Sequence, residues 1–140
     1  MNDIYADFKF KDYRVLKISL DTNTEEKKEQ SFDFEVKYSI NENNRECIIA
    51  IEFELSENYT NITGEISGIF QYGDGIDETE FEQFIGNGLT ILFPYLRAAV
   101  SSLSSIVNGE VLIVPTINVL EYIRKKFDMD KNKQDKEDEA

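Results

Sequence analysis

The sequence predicts an α+β domain in which four strands, paired antiparallel, come before helices. Three observations carry this. Apolar and polar residues alternate through four segments in the first part of the chain. The connections between these segments are short, which suits antiparallel neighbours. After residue 75 the apolar spacing changes from every second residue to every third or fourth.

The first strand is predicted at 13–20, with Leu16, Ile18 and Leu20 on one face. A polar connection, 21–30, leads to the second strand at 31–40. There Phe32, Phe34, Val36, Tyr38 and Ile40 face one way and Asp33, Glu35, Lys37 and Ser39 the other. Asn41-Glu42-Asn43-Asn44-Arg45 is turn chemistry. The third strand, 46–55, alternates through Cys47, Ile49, Ile51, Phe53 and Leu55. The fourth, 61–72, puts Ile62, Gly64, Ile66, Gly68, Phe70 and Tyr72 on one face. Two glycines inside a strand point to a bulge or a close backbone approach. One polar face per strand predicts a sheet that is half solvated and half buried.

Asp77 is a predicted N-cap for a short helix, with Glu80 as its reciprocal partner and Gly86-Asn87-Gly88 as its end. A longer helix then runs to about residue 107. Leu96, Val100, Leu103 and Val107 form its apolar stripe, and Pro94 marks a first turn or a kink. Ala98, Ser101, Ser102 and Ser105 form a second stripe of small residues, which lets another backbone approach, from the chain's own sheet or from a second subunit. Asn108-Gly109 breaks this helix, and 111–117 is an extended apolar linker containing Pro115. Asn118 caps the last helix with Glu121 at the third position. Leu120, Ile123 and Phe127 mark its buried face, and Arg124, Lys125 and Lys126 complement its C-terminal dipole. The domain is thus expected to cover 1–127, with 128–140 an acidic, disordered tail.

Composition narrows the function. The chain has 28 acidic and 15 basic residues, a net charge of −13. Phosphate binding depends on neutralising cations, so nucleic acid is not an expected partner. An anionic membrane surface would repel the chain for the same reason. The first ten residues lack a basic region followed by an apolar run, so they do not read as a secretory signal. The most apolar stretch, 89–100, contains Arg97 and is shorter than the roughly 20 residues that span a bilayer, so no membrane insertion and a cytoplasmic location are expected. There is no histidine, which removes Ser-His-Asp and Cys-His nucleophile systems and histidine metal sites. Cys47 falls at an inward strand position and reads as a small hydrophobe. The acids at 74–80 lack the alternate-position spacing of a calcium loop. No cofactor, metal or catalytic activity is expected.

The segment Ile91-Leu92-Phe93-Pro94-Tyr95-Leu96-Arg97-Ala98-Ala99-Val100-Ser101-Ser102-Leu103 closely resembles the start of the long helix in the SecB protein-export chaperones. Val114-Pro115-Thr116-Ile117-Asn118 resembles, more loosely, the linker that follows it in that family. Gly68-Ile69-Phe70 and Ile18-Ser19-Leu20-Asp21 resemble its fourth and first strands. The resemblance implies a four-stranded antiparallel sheet with helices on one face, assembled as a homotetramer, a dimer of dimers. It implies a holdase that binds unfolded or precursor polypeptides in apolar grooves for translocation and passes them to the motor SecA.

On that resemblance, Phe70, Tyr72, Ile113, Val114 and Tyr122 are the candidate client-facing residues. Phe93, Pro94, Tyr95, Arg97, Ala98, Ser101, Ser102 and Ser105 carry the signature helix and a candidate subunit interface; Phe93 reads as packing and Arg97 as one half of a buried or intersubunit ion pair. Asp21 and Glu65 are candidate docking acids for SecA. Lys17 and Thr63 fall where the family carries other acids. That departure keeps open a chaperone dedicated to one client, such as the antitoxin of a toxin–antitoxin pair, and an acidic adaptor that binds one folded partner.

Overall fold

The computed structural model describes residues 8–22, 26–73, 78–108 and 110–138. Four strands, β1 (Phe8–Thr22), β2 (Lys28–Asn41), β3 (Glu46–Asn58) and β4 (Thr60–Tyr72), are followed by two helices, α1 (Glu78–Asn108) and α2 (Val119–Asp138). The α+β class and the fully antiparallel pairing are as the sequence predicts.

The strand order is β1-β4-β3-β2, so β1 and β2, neighbours in sequence, lie on opposite edges. The expectation that all successive strands pair is therefore corrected at this one connection. Crossing three inter-strand spacings takes about 14 Å. The six residue steps from Thr22 to Lys28 can span roughly 20 Å, so a short connection is enough. At the β3–β4 turn Asn58 takes a left-handed conformation, φ 54°.

The core lies between one face of the sheet and the helices. Cys47, Ile49, Ile51, Phe53 and Leu55 of β3 and Ile62, Ile66 and Phe70 of β4 are buried against Ile85, Leu89, Leu92, Leu96 and Val100 of α1. The alternation is realised within the predicted spans with one exception in β1; the other register shifts, Phe10/Asp12 and Lys28/Ser31, lie outside those spans. The β1–β4 register shifts between Val15 and Lys17, which takes Leu16 out of the row shared by Ile18 and Leu20 and leaves it 56% exposed. Just past the shift, Gly64 stands opposite Ile18. A Cβ there would stand 2.6 Å from the Lys17 carbonyl oxygen and 2.8 Å from Phe53 Cζ. Only glycine lets β1 come this close beside the Phe53 ring.

The helices differ from expectation in three ways. The predicted cap at Asp77 lies outside the described residues, and helix runs unbroken from Glu78 through Gly86, Gly88 and Pro94. Gly88 is a packing residue and not a stop, because a Cβ there would overlap Ile49 Cδ1 and touch Phe70. Pro94 is exposed, and the Thr90 hydroxyl donates to the Gly86 carbonyl one turn earlier. Finally, α2 continues past residue 127 to Asp138, so Arg124, Lys125 and Lys126 sit mid-helix. Residues 128–138 contain neither Gly nor Pro, and half-apolar periodicity is not needed to extend a helix already started. The Asn118 cap is as predicted: its side-chain oxygen accepts the Glu121 amide at 3.1 Å.

Candidate functional site

The interhelical linker, 110–118, is held in extended form by two serines of α1. Ser104, fully buried, accepts the Leu112 amide at 2.9 Å and donates to the Ser101 carbonyl. Ser101 donates to the Leu112 carbonyl at 3.2 Å. Both backbone groups of one buried residue are thereby satisfied away from any strand. With Leu112 fixed, alternation follows: Leu112 and Val114 point inward, Val111 and Ile113 outward. Ser101 thus belongs to this clamp and leaves the exposed small-residue stripe, which keeps Ala98, Ser102 and Ser105.

The candidate client-facing residues separate. Ile113 is 63% exposed, while Tyr72 and Tyr122 are half-buried. Phe70 and Val114 are in the core and offer no surface to a client in this chain; Phe70 is packed against Phe10 at 5.4 Å and fills the space left by Gly68 and Gly88. Aromatics that the sequence reading left in the general core form a wall beside the linker and α2. Phe34 meets Phe93 edge-on at 5.4 Å, Tyr122 at 4.6 Å and Phe32 at 5.5 Å. Phe93 is buried, as a packing residue should be. From α1's last turn to α2's first, Ile106 (81% exposed), Val107, Val111, Ile113 and Leu120 (74%) are all open, and Glu110 is the only charged residue between 106 and 120.

The outward side of α1 forms a second surface. Thr90, Pro94, Tyr95, Ala98, Ser102 and Ser105 are exposed and uncharged. Tyr95 stacks on Tyr13 of β1 at 4.2 Å, which extends this surface onto the sheet edge beside Val15 and Leu16. Arg97, half-buried, has its Nε buried without a hydrogen-bond partner among the described residues. By length and composition Phe81–Val107 could cross a membrane, a span the shorter 89–100 window does not reveal. Here its most apolar side faces the sheet.

The opposite face of the sheet is mostly polar, with Ile48 and Ile69 paired on it. Asp21 and Glu65 both lie on it, four register positions apart, with Asp21 exposed at the end of β1 and Glu65 half-buried opposite Lys17. A denser acid group sits on β2 and β3, where Asp33 is directly opposite Glu54 and Glu35 directly opposite Glu52. Like charges in direct opposition repel. Lys37 relieves part of this through a 2.6 Å contact with Glu52. The bond to Glu52 and its charge, with Glu35 and Glu65 behind it, raise the lysine's pKa above its ordinary value. The alternation of each strand showed these acids; only the register shows that they coincide. No group of three or more His, Cys, Asp or Glu side chains is placed to hold a metal ion among the described residues. Cys47 is fully buried, and burial pushes its thiol up to about 12.

Comparison with solved structures places this arrangement. The chain is similar to the SecB-like chaperone of Mycobacterium tuberculosis solved in complex with a ChAD peptide from the HigA1 antitoxin. The two share 16% identity with a TM-score of 0.65, over 80% of this chain and 91% of that one. It is also similar to a Streptococcus agalactiae protein of unknown function, at 11% identity and a TM-score of 0.59, over 79% of this chain and 98% of that one. The fold is therefore SecB-like. No family model matches the sequence, and no curated protein matches it.

Proposed function

We propose that this protein is a SecB-like chaperone that holds unfolded polypeptide in extended form and acts as a homo-oligomer. The observation that carries the proposal is the open apolar segment from Ile106 to Leu120, anchored by the Ser101–Ser104 clamp beside the Phe34 wall. A chain of net charge −13 tolerates such a surface because repulsion keeps one oligomer from aggregating with the next.

Magnitudes fit a reversible holdase. Burying ~400 Å² of client apolar surface at ~25 cal/mol/Å² gives about 10 kcal/mol gross. Ordering a seven-residue segment costs roughly 1–2 kcal/mol per residue, which cancels most of it. One site binds weakly; several on one oligomer bind usefully and still release. The uncharged side of α1 with the Tyr13–Tyr95 stack supplies the contact between copies, and a partner carboxylate would satisfy Arg97 Nε.

The M. tuberculosis neighbour's antitoxin peptide favours a dedicated client as a second reading. Delivery to SecA rests on Asp21 and Glu65 sharing one face.

The test is suppression of aggregation of a chemically denatured model protein diluted into buffer. Suppression at a few-fold molar excess, with a sedimenting species of four subunits, is the expected result. A monomer without effect at tenfold excess would sink the proposal. Affinity capture separates the readings: many unfolded chains indicate a general holdase, one dominant partner a dedicated one.

A further inference from the structure

The chaperone reading leaves open what keeps the linker's apolar side chains turned out to water, and the β3–β4 hairpin carries an answer. Val111 and Ile113 point outward, although apolar burial favours folding them back onto the molecule. Between them Leu112 is pinned at both backbone groups by Ser101 and Ser104, so it is a fulcrum for its neighbours. A tie lies on each side of it. Asn58, 52 residues away from Glu110 in sequence, donates from Nδ2 to Glu110 Oε1 at 3.1 Å. Gln30 of β2 donates from Nε2 to the Ile113 carbonyl at 3.3 Å. Both ties are exposed, unlike the buried bond to Ser104, so each can open without stranding a polar group away from water.

Two demands meet at Asn58. Glu57 pairs with Thr60, which leaves Asn58 and Tyr59 as the hairpin tip. At φ 54° the tip suits glycine, asparagine or aspartate. Of these three, only asparagine has a side-chain N–H to give to a carboxylate. Glu110, in turn, is the one charged residue of the otherwise uncharged stretch 106–120, and it stands where Asn58 reaches it.

We propose that Asn58 is a positioning residue for client holding: through Glu110 it latches the start of the linker to the hairpin tip and keeps Val111 presented. The proposal rests on the chaperone reading above. With the latch shut, the backbone before Leu112 is held at two points, Glu110 and the fulcrum. With it open, that backbone turns about Leu112 and Val111 loses its outward setting. A client then meets a surface that must first be ordered, and the ordering is subtracted from its affinity. Gln30 still holds the far side, so opening the latch weakens the surface without abolishing it.

The probe is fluorescein-labelled α-lactalbumin, reduced and carbamidomethylated so that it stays unfolded, read by anisotropy on the intact protein. Asn58→Asp suits the same left-handed turn but sets a carboxylate against Glu110. It is expected to weaken binding about fivefold, with little change in the urea midpoint. Glu110→Ala removes the acceptor, leaves the turn alone and is expected to show the same loss. Glu110→Gln keeps an acceptor oxygen without the charge and binds as the parent does. Asn58→Asp combined with Glu110→Gln reverses donor and acceptor and restores the parental affinity. A double variant no better than Asn58→Asp alone overturns the latch and assigns the loss to the turn. If the parent holds the probe and both Asn58→Asp and Glu110→Ala hold it equally well, the latch fails and the chaperone reading stands; if the parent does not hold it, both fail.

Discussion

Ser104→Ala removes one oxygen and tests the linker clamp directly. The side chain is fully buried, and its oxygen is the acceptor for the Leu112 amide at 2.9 Å. Leu112 is itself 2% exposed, so the freed N–H has no route to water. Leaving a buried donor unpaired costs about 1–3 kcal/mol, more than the ~1 kcal/mol of an average hydrogen bond. Alanine's better helix propensity returns at most ~0.5 kcal/mol. The expected loss is therefore about 1–2 kcal/mol, or a fall in Tm of roughly 3–8 °C for a chain of this size. Urea unfolding followed by circular dichroism measures the total, and hydrogen exchange at the Leu112 amide locates it. Ser101→Ala removes the donor to the Leu112 carbonyl, so the double variant is expected to lose less than the sum of the singles. A Ser104→Ala protein within 0.3 kcal/mol of the parent, with Leu112 still protected, would refute the clamp.

Gly64→Ala drives a Cβ against the Lys17 carbonyl and the Phe53 ring; backbone cannot swing aside, and a loss of about 2–3 kcal/mol in urea unfolding is expected. Cys47, with its thiol at about 12 against an ordinary 9.0, holds roughly a thousandth of the usual thiolate at pH 8, so iodoacetamide labelling should track unfolding alone. The same shift makes its contribution to stability full below pH 9 and lost as pH rises from 9 toward 12, by up to ~1.4 kcal/mol per unit, readable as a falling urea midpoint. The facing pairs Asp33–Glu54 and Glu35–Glu52 predict that 0.5 M NaCl raises the midpoint, and that Asp33→Asn removes part of the salt effect.

Much of the fold was legible because alternation is a strong local signal. β2, β3 and β4 put the predicted residues on the core face, and Asn118 caps as written. What escaped depended on partners far away in sequence. Gly86 and Gly88 read as a helix end, yet Gly88 is glycine because Ile49 of β3 presses on the helix there. Leu16 read as a residue of the Ile18–Leu20 face, but a register shift opposite Glu65 and Ile66 turns it out. Phe70 read as a client contact because aromatics at the end of a strand suit both roles, and only the packing with Phe10 decides. Ser104 carried no signal; a serine that pins a linker is indistinguishable in sequence from one facing solvent. Lys126 was read as a dipole complement because the helix was expected to stop just after it.

The strand order also governs how the molecule is made. β2, β3 and β4 follow one another and can zip as a local meander once residue 72 has emerged. β1 is synthesised before the other three strands and pairs last, since its neighbour in the described sheet is β4, some fifty residues downstream. Non-local pairing of this kind slows folding and prolongs exposure of unpaired strands. During translation β1, with Phe10, Tyr13 and Val15, must wait unpaired until β4 has emerged. The β1 of a nascent copy thus passes through the unpaired condition that the finished protein is proposed to hold in others.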